Sequence, residues 1–173
     1  FSFGKYNLKL LEIHNANIKY AAPILVNDGN SEFILLAIWA NNKDDEDGQY
    51  IEQVYKAITY YEDLLLKNNS IIIGDFNSNS IWDEWDRWWN HSDVVNELKE
   101  IGIESFYHKF TGEPQGKETI PTLHFQKKST KPYHIDYIFG TKKFTDKIIK
   151  FEIGQFDRWI KISDHMPVFC EIE

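Results

Sequence analysis

The sequence predicts an α/β domain built as a two-sheet β-sandwich flanked by helices. Strand-like and helix-like segments alternate in the first half of the chain, and strand-like segments dominate the second half. No internal linker or repeat divides the chain, and its 173 residues fit one domain, 1–173. A hydrophobic fraction of 42% and an aromatic fraction of 16% are sufficient to fill a sizeable core.

The first half is predicted to contain one helix and strands at 7–13, 17–26, 33–39 and 71–73, with a turn at Asn27–Asn30. The run Phe33–Trp39 is apolar throughout and has the length of a strand that is buried on both faces. A polar, aspartate-rich loop is expected over Asn41–Gly48. The helix follows it, because apolar residues recur at helical spacing from Ile51 to Leu65, and should end near Asn68.

The second half is predicted to contain a tryptophan-rich helical segment, another helix and several strands. Trp82, Trp85 and Trp89 share one helical face, either to pack against the body of the domain or to surround a site and stack on a base. Ser92 is expected to cap the next helix, which ends at Gly102. Strands are expected at 119–125, 134–139, 147–153 and 166–172.

Charge and cysteine content exclude several classes of protein. A net charge of −8 argues against a protein that coats nucleic acid over its whole surface, but not against an enzyme that binds it at one local site. The single cysteine, Cys170, excludes a disulfide framework and is consistent with a cytoplasmic location, which we expect. No apolar run is long enough to span a bilayer, so no membrane partner is expected.

Three short motifs carry side chains suited to phosphate chemistry. Asp75 and Asn77 follow a buried strand and would point to the same side, although Gly-Asp-Phe-Asn is also common turn chemistry. Asp164 and His165 come directly before the last apolar strand. Asp136 lies within an apolar strand, where a carboxylate is unfavourable unless it is paired, and His165 is the expected partner.

The ordered triplet Gly74–Asn77, His134–Phe139 and Ser163–Val168 resembles the endonuclease/exonuclease/phosphatase superfamily, which includes DNase I-like and exonuclease III-like nucleases. The resemblance extends from about residue 33 to the C-terminus. It implies a DNase I-like fold and metal-dependent hydrolysis of phosphodiester bonds, with DNA or RNA as the substrate. It also implies Mg²⁺ or Mn²⁺ as the cofactor.

The resemblance further implies roles for individual residues. Asp75 would orient or deprotonate the attacking water, Asn77 would hold the phosphate and Asp75, and His165, paired with Asp136, would stabilise the transition state. Asp164 would be a metal-site or acid/base carboxylate, so Asp164 and Asp75 are the expected metal ligands. The expected substrate-binding residues are Trp39, Asn42, His124, Tyr133 and His134, of which His134 is equally suited to a structural polar role.

The N-terminal part of the sequence departs from the superfamily pattern. There the superfamily carries an Asn and the Glu that binds the principal metal ion, and neither motif precedes Phe33. We therefore expect the domain to be incomplete at its N-terminus. Two alternatives to a nuclease stay open: a phosphatase or phosphodiesterase that acts on a small-molecule or lipid substrate, and an inactive truncated domain that serves as a binding module.

Overall fold

A six-stranded β-sheet forms the centre of the computed structural model, which describes residue 2, residues 4–42 and residues 48–173. The elements, in chain order, are β1 (Asn7–Leu10), β2 (Ala21–Asn27), β3 (Glu32–Trp39), α1 (Ile51–Tyr60), α2 (Glu62–Lys67), β4 (Ser70–Asp75), α3 (His91–Glu100), β5 (Ile103–Ser105), α4 (Phe106–Thr111), β6 (Leu123–His124), β7 (Pro132–Tyr133), β8 (Asp136–Thr141), α5 (Lys142–Thr145), β9 (Ile148–Ile153), α6 (Phe156–Trp159) and β10 (Val168–Ile172). The strand order in the central sheet is β1-β2-β3-β4-β8-β5. β3 and β4 run parallel, and the other neighbours run antiparallel.

One face of the central sheet is covered by α1, α2 and α3. Because side chains alternate along a strand, Leu36 of β3 and Ile72 of β4 point into this layer, where both are fully buried. They meet apolar side chains from the helices, namely Val54, Ala57, Ile58, Leu65, Val94 and Leu98. None of the helices in the described part of the chain is both long enough and apolar enough to cross a membrane.

The opposite face is covered in part by a second sheet, in which β9 pairs with β10. Ile71 and Ile138 of the central sheet are buried here against a set of partly buried residues: Phe33, Leu35, Ile73, Phe151, Val168 and Cys170. The fold is therefore a mixed α/β arrangement of a large sheet flanked by helices, as predicted. The second sheet has two strands within the described residues, so this layer of the sandwich is the smaller one.

The longest apolar runs form strands at the predicted places, and the predicted helix is interrupted once. α1 ends at Tyr60 and α2 begins at Glu62, although the N–H of Tyr61 still donates to the carbonyl of Ala57. The turn predicted at Asn27–Asn30 is confirmed, because the carboxylate of Asp28 accepts hydrogen bonds from Asn30 and Ser31. The aspartate-rich loop predicted over Asn41–Gly48 falls mainly on residues 43–47, which lie outside the described residues.

The tryptophan-rich segment does not form the predicted helix. Only Ser80–Trp82 forms a turn of 3-10 helix, and α3 has Asn90 rather than Ser92 as its N-cap. The reason lies in Asp83, whose carboxylate accepts hydrogen bonds from the N–H groups of His91 (2.8 Å) and Ser92 (3.2 Å). These bonds fold the preceding residues back as a loop.

The strand predicted at 119–125 is shortened to β6. Glu113 accepts hydrogen bonds from the N–H (2.9 Å) and the hydroxyl (2.6 Å) of Thr119, which holds the residues before β6 in a loop. β5 and α4 were not predicted, because each is too short for a periodic pattern of apolar residues to be recognised in it.

Gly74 lies where β4 comes closest to β3. Its φ is 146°, and a Cβ at this position would lie 1.8 Å from the carbonyl oxygen of Ile38. We expect Gly74→Ala to lower the free energy of unfolding by about 3 kcal/mol, because a clash with strand backbone adds to the ~1–3 kcal/mol of a disfavoured conformation. Urea denaturation followed by circular dichroism measures this change.

Gly29→Ala is the matched control for this substitution. Gly29 has a φ of 91°, but a Cβ there would meet nothing within 4 Å. Only the backbone conformation is penalised at this position, so the loss should be smaller. Equal stability of the two variants would contradict the role given to the close approach at Gly74.

Candidate active site

The pairing of β4 with β8 brings two carboxylates together. In the antiparallel register Asp75, the last residue of β4, lies opposite Asp136, the first residue of β8. The pairing continues one residue further, because the N–H of Phe76 donates to the carbonyl of Ile135 at 2.9 Å. The ring of Phe76 is fully buried and stacks on Phe139, with 5.6 Å between ring centroids. This packing anchors the Gly74–Asn77 motif in the core.

His165 lies against Asp136, as the sequence predicted. Its Nδ1 is 3.0 Å from Oδ2 and 3.1 Å from Oδ1 of Asp136. This hydrogen bond raises the pKa of His165 above its ordinary value against the opposing effect of partial burial, and the charges of Asp136, Asp75 and Asp164 act in the same direction. Because Nδ1 is engaged by Asp136, Nε2 is the ring nitrogen that remains to meet a ligand.

Asn77 holds Asp75 in place through its main chain and its side chain. Its φ of 47° is in the left-handed region, which Asn tolerates better than most residues. Its N–H donates to Oδ1 of Asp75 at 2.8 Å, and its Nδ2 donates to Oδ2 of Asp75 at 3.0 Å and to the carbonyl of Ala40 at 2.7 Å. The predicted contact with Asp75 is therefore present, and contact with a phosphate stays a prediction.

Asp75 has a strongly perturbed acidity. Burial raises its pKa to about 6, the neighbouring charge of Asp136 acts in the same direction, and the N–H of Asn77 and the charge of His165 oppose the rise. A carboxyl group with this pKa is ionised at neutral pH and is a stronger base than an ordinary aspartate. Such a group is suited to accept a proton from water.

The donor atoms of Asp75, Asp136 and His165 lie within 4.8 Å of one another. Two oxygen donors from adjacent carboxylates fit a hard divalent cation such as Mg²⁺. A cation would also relieve the repulsion that contributes to the raised pKa of Asp75. Among the described residues this is the ligand set that comes together, whereas the prediction named Asp164 with Asp75. The carbonyl oxygen of Asp164 accepts a hydrogen bond from the N–H of His124 at 2.8 Å.

Three of the predicted substrate-binding residues are exposed or half-buried. Trp39, at the end of β3, is 65% exposed and is the parallel neighbour of Asp75. Asn42 is also exposed. Tyr133 is half-buried and packs on Trp82, with 5.1 Å between ring centroids.

The other two predicted substrate-binding residues, His124 and His134, lie in the interior. They are 7% and 5% exposed. Nδ1 of His134 bonds to the carbonyl of Ile120 at 2.8 Å and its ring packs on Tyr107, while the ring of His124 packs on Phe156. These positions correct the expectation that both face a substrate. The burial of His134 favours the structural role that was its alternative, and its Nε2 has no hydrogen-bond partner among the described residues.

Thr122 is a site residue that the motifs did not indicate. It is fully buried, and its hydroxyl oxygen accepts hydrogen bonds from the N–H groups of Ile135 (2.9 Å) and Asp136 (3.0 Å). Its carbonyl accepts from the N–H of Met166 at 2.6 Å. Thr122 therefore ties the start of β8 to the segment that carries His165. No local pattern reveals this role, because these partners are distant in the sequence.

A hollow of about 480 Å³ lies beside Asn77. It is lined mainly by aromatic and aliphatic side chains, among them Tyr50, Trp82, Leu123, Phe125 and Tyr133. The loop that joins β6 to β7 begins at Phe125 and carries three exposed lysines: Lys127, Lys128 and Lys131. This end of the site is therefore locally basic and aromatic, in a chain whose net charge is −8.

Asp75→Asn is expected to stabilise the protein at neutral and alkaline pH. The folded-state pKa of about 6 lies above the ordinary value of 3.8, so the stability that protonated Asp75 contributes is complete below pH 3.8 and is lost as pH rises through 6. Asparagine does not ionise and avoids this loss. We expect a gain of about 1 kcal/mol at pH 7.5, since one lost hydrogen bond to Asn77 offsets part of the effect.

Chemical denaturation of both chains at pH 7.5 and pH 4 measures the effect, and the difference should shrink at the lower pH. Asp63→Asn is the control, because Asp63 is an exposed residue of α2 with a side chain that is 83% accessible. If Asp75→Asn lowered stability equally at both pH values, burial of an ionised Asp75 would not be the dominant effect.

Solved structures with similar folds include nucleases and a 3′ phosphatase. No protein-family model and no curated protein matches the sequence. The endonuclease domain of TRAS1, a telomere-specific non-LTR retrotransposon, superposes with a TM-score of 0.63 at 17% identity, covering 97% of this chain and 69% of that one. The 3′ phosphatase NExo from Neisseria, bound to a product DNA hairpin, gives 0.63 at 14%, covering 97% and 70%.

An AP endonuclease from Archaeoglobus fulgidus superposes with a TM-score of 0.61 at 15% identity, covering 87% of this chain and 65% of that one. The likeness that the three motifs indicated is thus confirmed in three dimensions. The chain has the DNase I-like fold of the endonuclease/exonuclease/phosphatase structures.

Proposed function

We propose that this chain hydrolyses phosphodiester bonds in nucleic acid with the help of a divalent metal ion. The observation that carries the proposal is the cluster of Asp75, Asp136 and His165, in which a carboxyl group of raised pKa lies beside a carboxylate-held imidazole. Structures with this fold include nucleases and a 3′ phosphatase, which supports hydrolysis of phosphate esters in general. The choice of nucleic acid rests on the surface around the cluster.

The side chains of the cluster suit the separate tasks of the reaction. Asp75, held by Asn77, aims a water molecule and accepts its proton. His165 is held by Asp136, and this hydrogen bond raises the pKa of His165 and favours its protonated form, so Nε2 donates to a phosphoryl oxygen as negative charge develops. The carboxylates of Asp75 and Asp136 would hold Mg²⁺ or Mn²⁺, which would supply further neutralisation of charge on the phosphoryl group.

The hollow and the lysine loop suit a nucleic-acid substrate. Aromatic side chains such as Trp82 and Tyr133 stack on any base or pack on a sugar, because every base has a π-face. Lys127, Lys128 and Lys131 provide local positive charge for the phosphates that flank the scissile bond. A small ester would use the catalytic cluster but neither of these features.

His165→Ala is expected to lower kcat by about 100-fold or more, because it removes the donor to the phosphoryl oxygen. The assay uses labelled single- and double-stranded DNA, RNA, a 3′-phosphorylated DNA hairpin and bis-p-nitrophenyl phosphate, each with Mg²⁺ or Mn²⁺. His14→Ala is the control, because His14 lies in the loop between β1 and β2.

Each outcome of this assay has a defined meaning. Turnover of none of the substrates would remove the enzyme hypothesis and leave a binding module. Turnover of the small ester alone would replace the nuclease by a small-molecule phosphodiesterase. Undiminished turnover by the His165→Ala chain would show that the reaction occurs at another site.

Replacement of Lys127, Lys128 and Lys131 by Gln is expected to weaken DNA binding. It is also expected to make the binding less dependent on salt concentration. The logarithm of the binding constant should fall less steeply with the logarithm of salt concentration, by about 2–3 in slope, if each lysine contacts one phosphate. Fluorescence anisotropy with a labelled duplex in the His165→Ala background measures binding without cleavage.

The matched control replaces Lys142, Lys143 and Lys147 by Gln, which changes the net charge equally. These exposed lysines follow the C-terminal end of β8, whereas Asp136 is at its start. When the same triple replacements are made in the chain that keeps His165, hydrolysis of bis-p-nitrophenyl phosphate should be unchanged in both. An equal loss of DNA binding in the two would mean that net charge, rather than the loop between β6 and β7, governs affinity.

A further inference from the structure

A second surface, the tryptophan loop formed by residues 83–90, is built rigidly but is not used by the chemistry proposed above. At its end, the carboxylate of Asp83 binds the first N–H groups of α3. The two ends of the loop are joined through Asn90. Its Oδ1 accepts a hydrogen bond from the N–H of Glu84 at 3.0 Å, and its Nδ2 donates to the carbonyl of Glu84 at 2.9 Å. These bonds fix the direction of the side chains in between.

The loop presents two tryptophans to solvent. Trp85 is 96% exposed and Trp88 is 86% exposed, whereas Trp89 packs against the core and Trp82 packs on Tyr133. Large aromatic side chains held outward by a closed loop are unfavourable in water and are characteristic of contact surfaces. The loop therefore has the features of a recognition element.

The surface next to the two tryptophans is acidic. A hollow of about 530 Å³ lies between the loop, α1 and α3, and the carboxylates of Asp86, Asp93 and Glu97 line it. Among the described residues that line it, the cation is Arg87, which is paired within the loop with Glu84 at 2.8 Å. In the part of the chain that the structure describes, no lysine or arginine pairs with Asp86, Asp93 or Glu97. The hollow thus carries negative charge that a ligand would have to match.

The charge selects the class of ligand. A nucleic acid would bring phosphates against these carboxylates and be repelled. A lysine or arginine side chain would be attracted to the carboxylates and would also interact favourably with the face of a tryptophan, since cations bind aromatic rings within about 6 Å of the ring centre. Exposed tryptophan rings beside a hollow lined by carboxylates therefore complement a basic segment of protein.

We propose that Trp85, Trp88 and the acidic hollow form a docking site for a lysine- and arginine-rich segment of a partner protein. The site is separate from the catalytic cluster, and it does not depend on whether the chain is a nuclease. The tryptophans cover the aliphatic stems of the basic side chains, and Asp86 and Glu97 pair with their charged ends.

The test measures binding of a fluorescein-labelled dodecapeptide in which lysine and arginine alternate with glycine and serine. The same sequence with glutamate in place of the basic residues and a labelled oligothymidylate of 12 nucleotides are the comparison probes. Fluorescence anisotropy is recorded for the whole chain and for Trp85→Ala/Trp88→Ala, Asp86→Asn/Glu97→Gln and Phe169→Ala. Phe169 is an exposed aromatic residue of β10, so Phe169→Ala is the matched control.

The expected result is that the basic peptide binds and the acidic peptide does not. Both double variants should bind the basic peptide at least tenfold more weakly, and Phe169→Ala should bind it unchanged. Circular dichroism checks that every variant is folded, as expected for changes at exposed positions. Failure of the basic peptide to bind, or equal binding by the Trp85→Ala/Trp88→Ala chain, would overturn the proposal. If the Trp85→Ala/Trp88→Ala chain lost binding of oligothymidylate but kept binding of the basic peptide, the proposal would also be overturned, and the loop would be assigned to a nucleic-acid substrate.

Discussion

The antiparallel register between β4 and β8 is the constraint on which the rest of the site depends. It sets Asp75 opposite Asp136, and Asp136 in turn holds His165, although the three residues come from distant parts of the sequence. Side chains alternate along a strand, so a slip of one residue would send Asp136 to the other face of the sheet. Asp136 contributes to both raised pKa values, because its charge adds to the effect of burial on Asp75 and its hydrogen bond raises the pKa of His165.

Buried polar contacts near the start of β8 stabilise its register with β4. Thr122 binds the first N–H groups of β8, and Nδ2 of Asn79 donates to the carbonyl of His134 at 3.0 Å and to Glu118 at 3.1 Å. Burial alone would raise the pKa of Glu118, but the hydrogen bonds from His108 and Asn79 lower it to about 2. The start of β8 therefore rests on a network of buried polar contacts around Glu118, in which removal of one partner would leave a buried polar group unpaired.

The sequence predicted those parts of the site that a short motif contains. Asp75, Asn77, Asp136 and His165 could be identified because each follows or lies in an apolar run that forms a strand. Thr122 could not, since its four hydrogen-bond partners are more than ten residues away and a single threonine forms no periodic pattern. The tryptophan segment was predicted as a helix because its spacing is helical, but the hydrogen bonds that the carboxylate of Asp83 accepts from His91 and Ser92 favour a loop over a continuous helix.

The lysine loop between β6 and β7 and the acidic surface beside the tryptophan loop have opposite charge, and this bears on how the proposed nucleic-acid substrate would approach the chain. Phe125, at the base of the lysine loop, and Arg87, in the tryptophan loop, line the same hollow, so the two loops are neighbours. At physiological salt, charges interact over about 8 Å, so a change of charge at one loop alters the electrostatic potential in the hollow beside Asn77. A basic segment docked at the tryptophan loop would neutralise Asp86 and Glu97 and extend the positive surface that begins with Lys127. Partner binding would then strengthen substrate binding, and by linkage substrate would strengthen partner binding by the same factor.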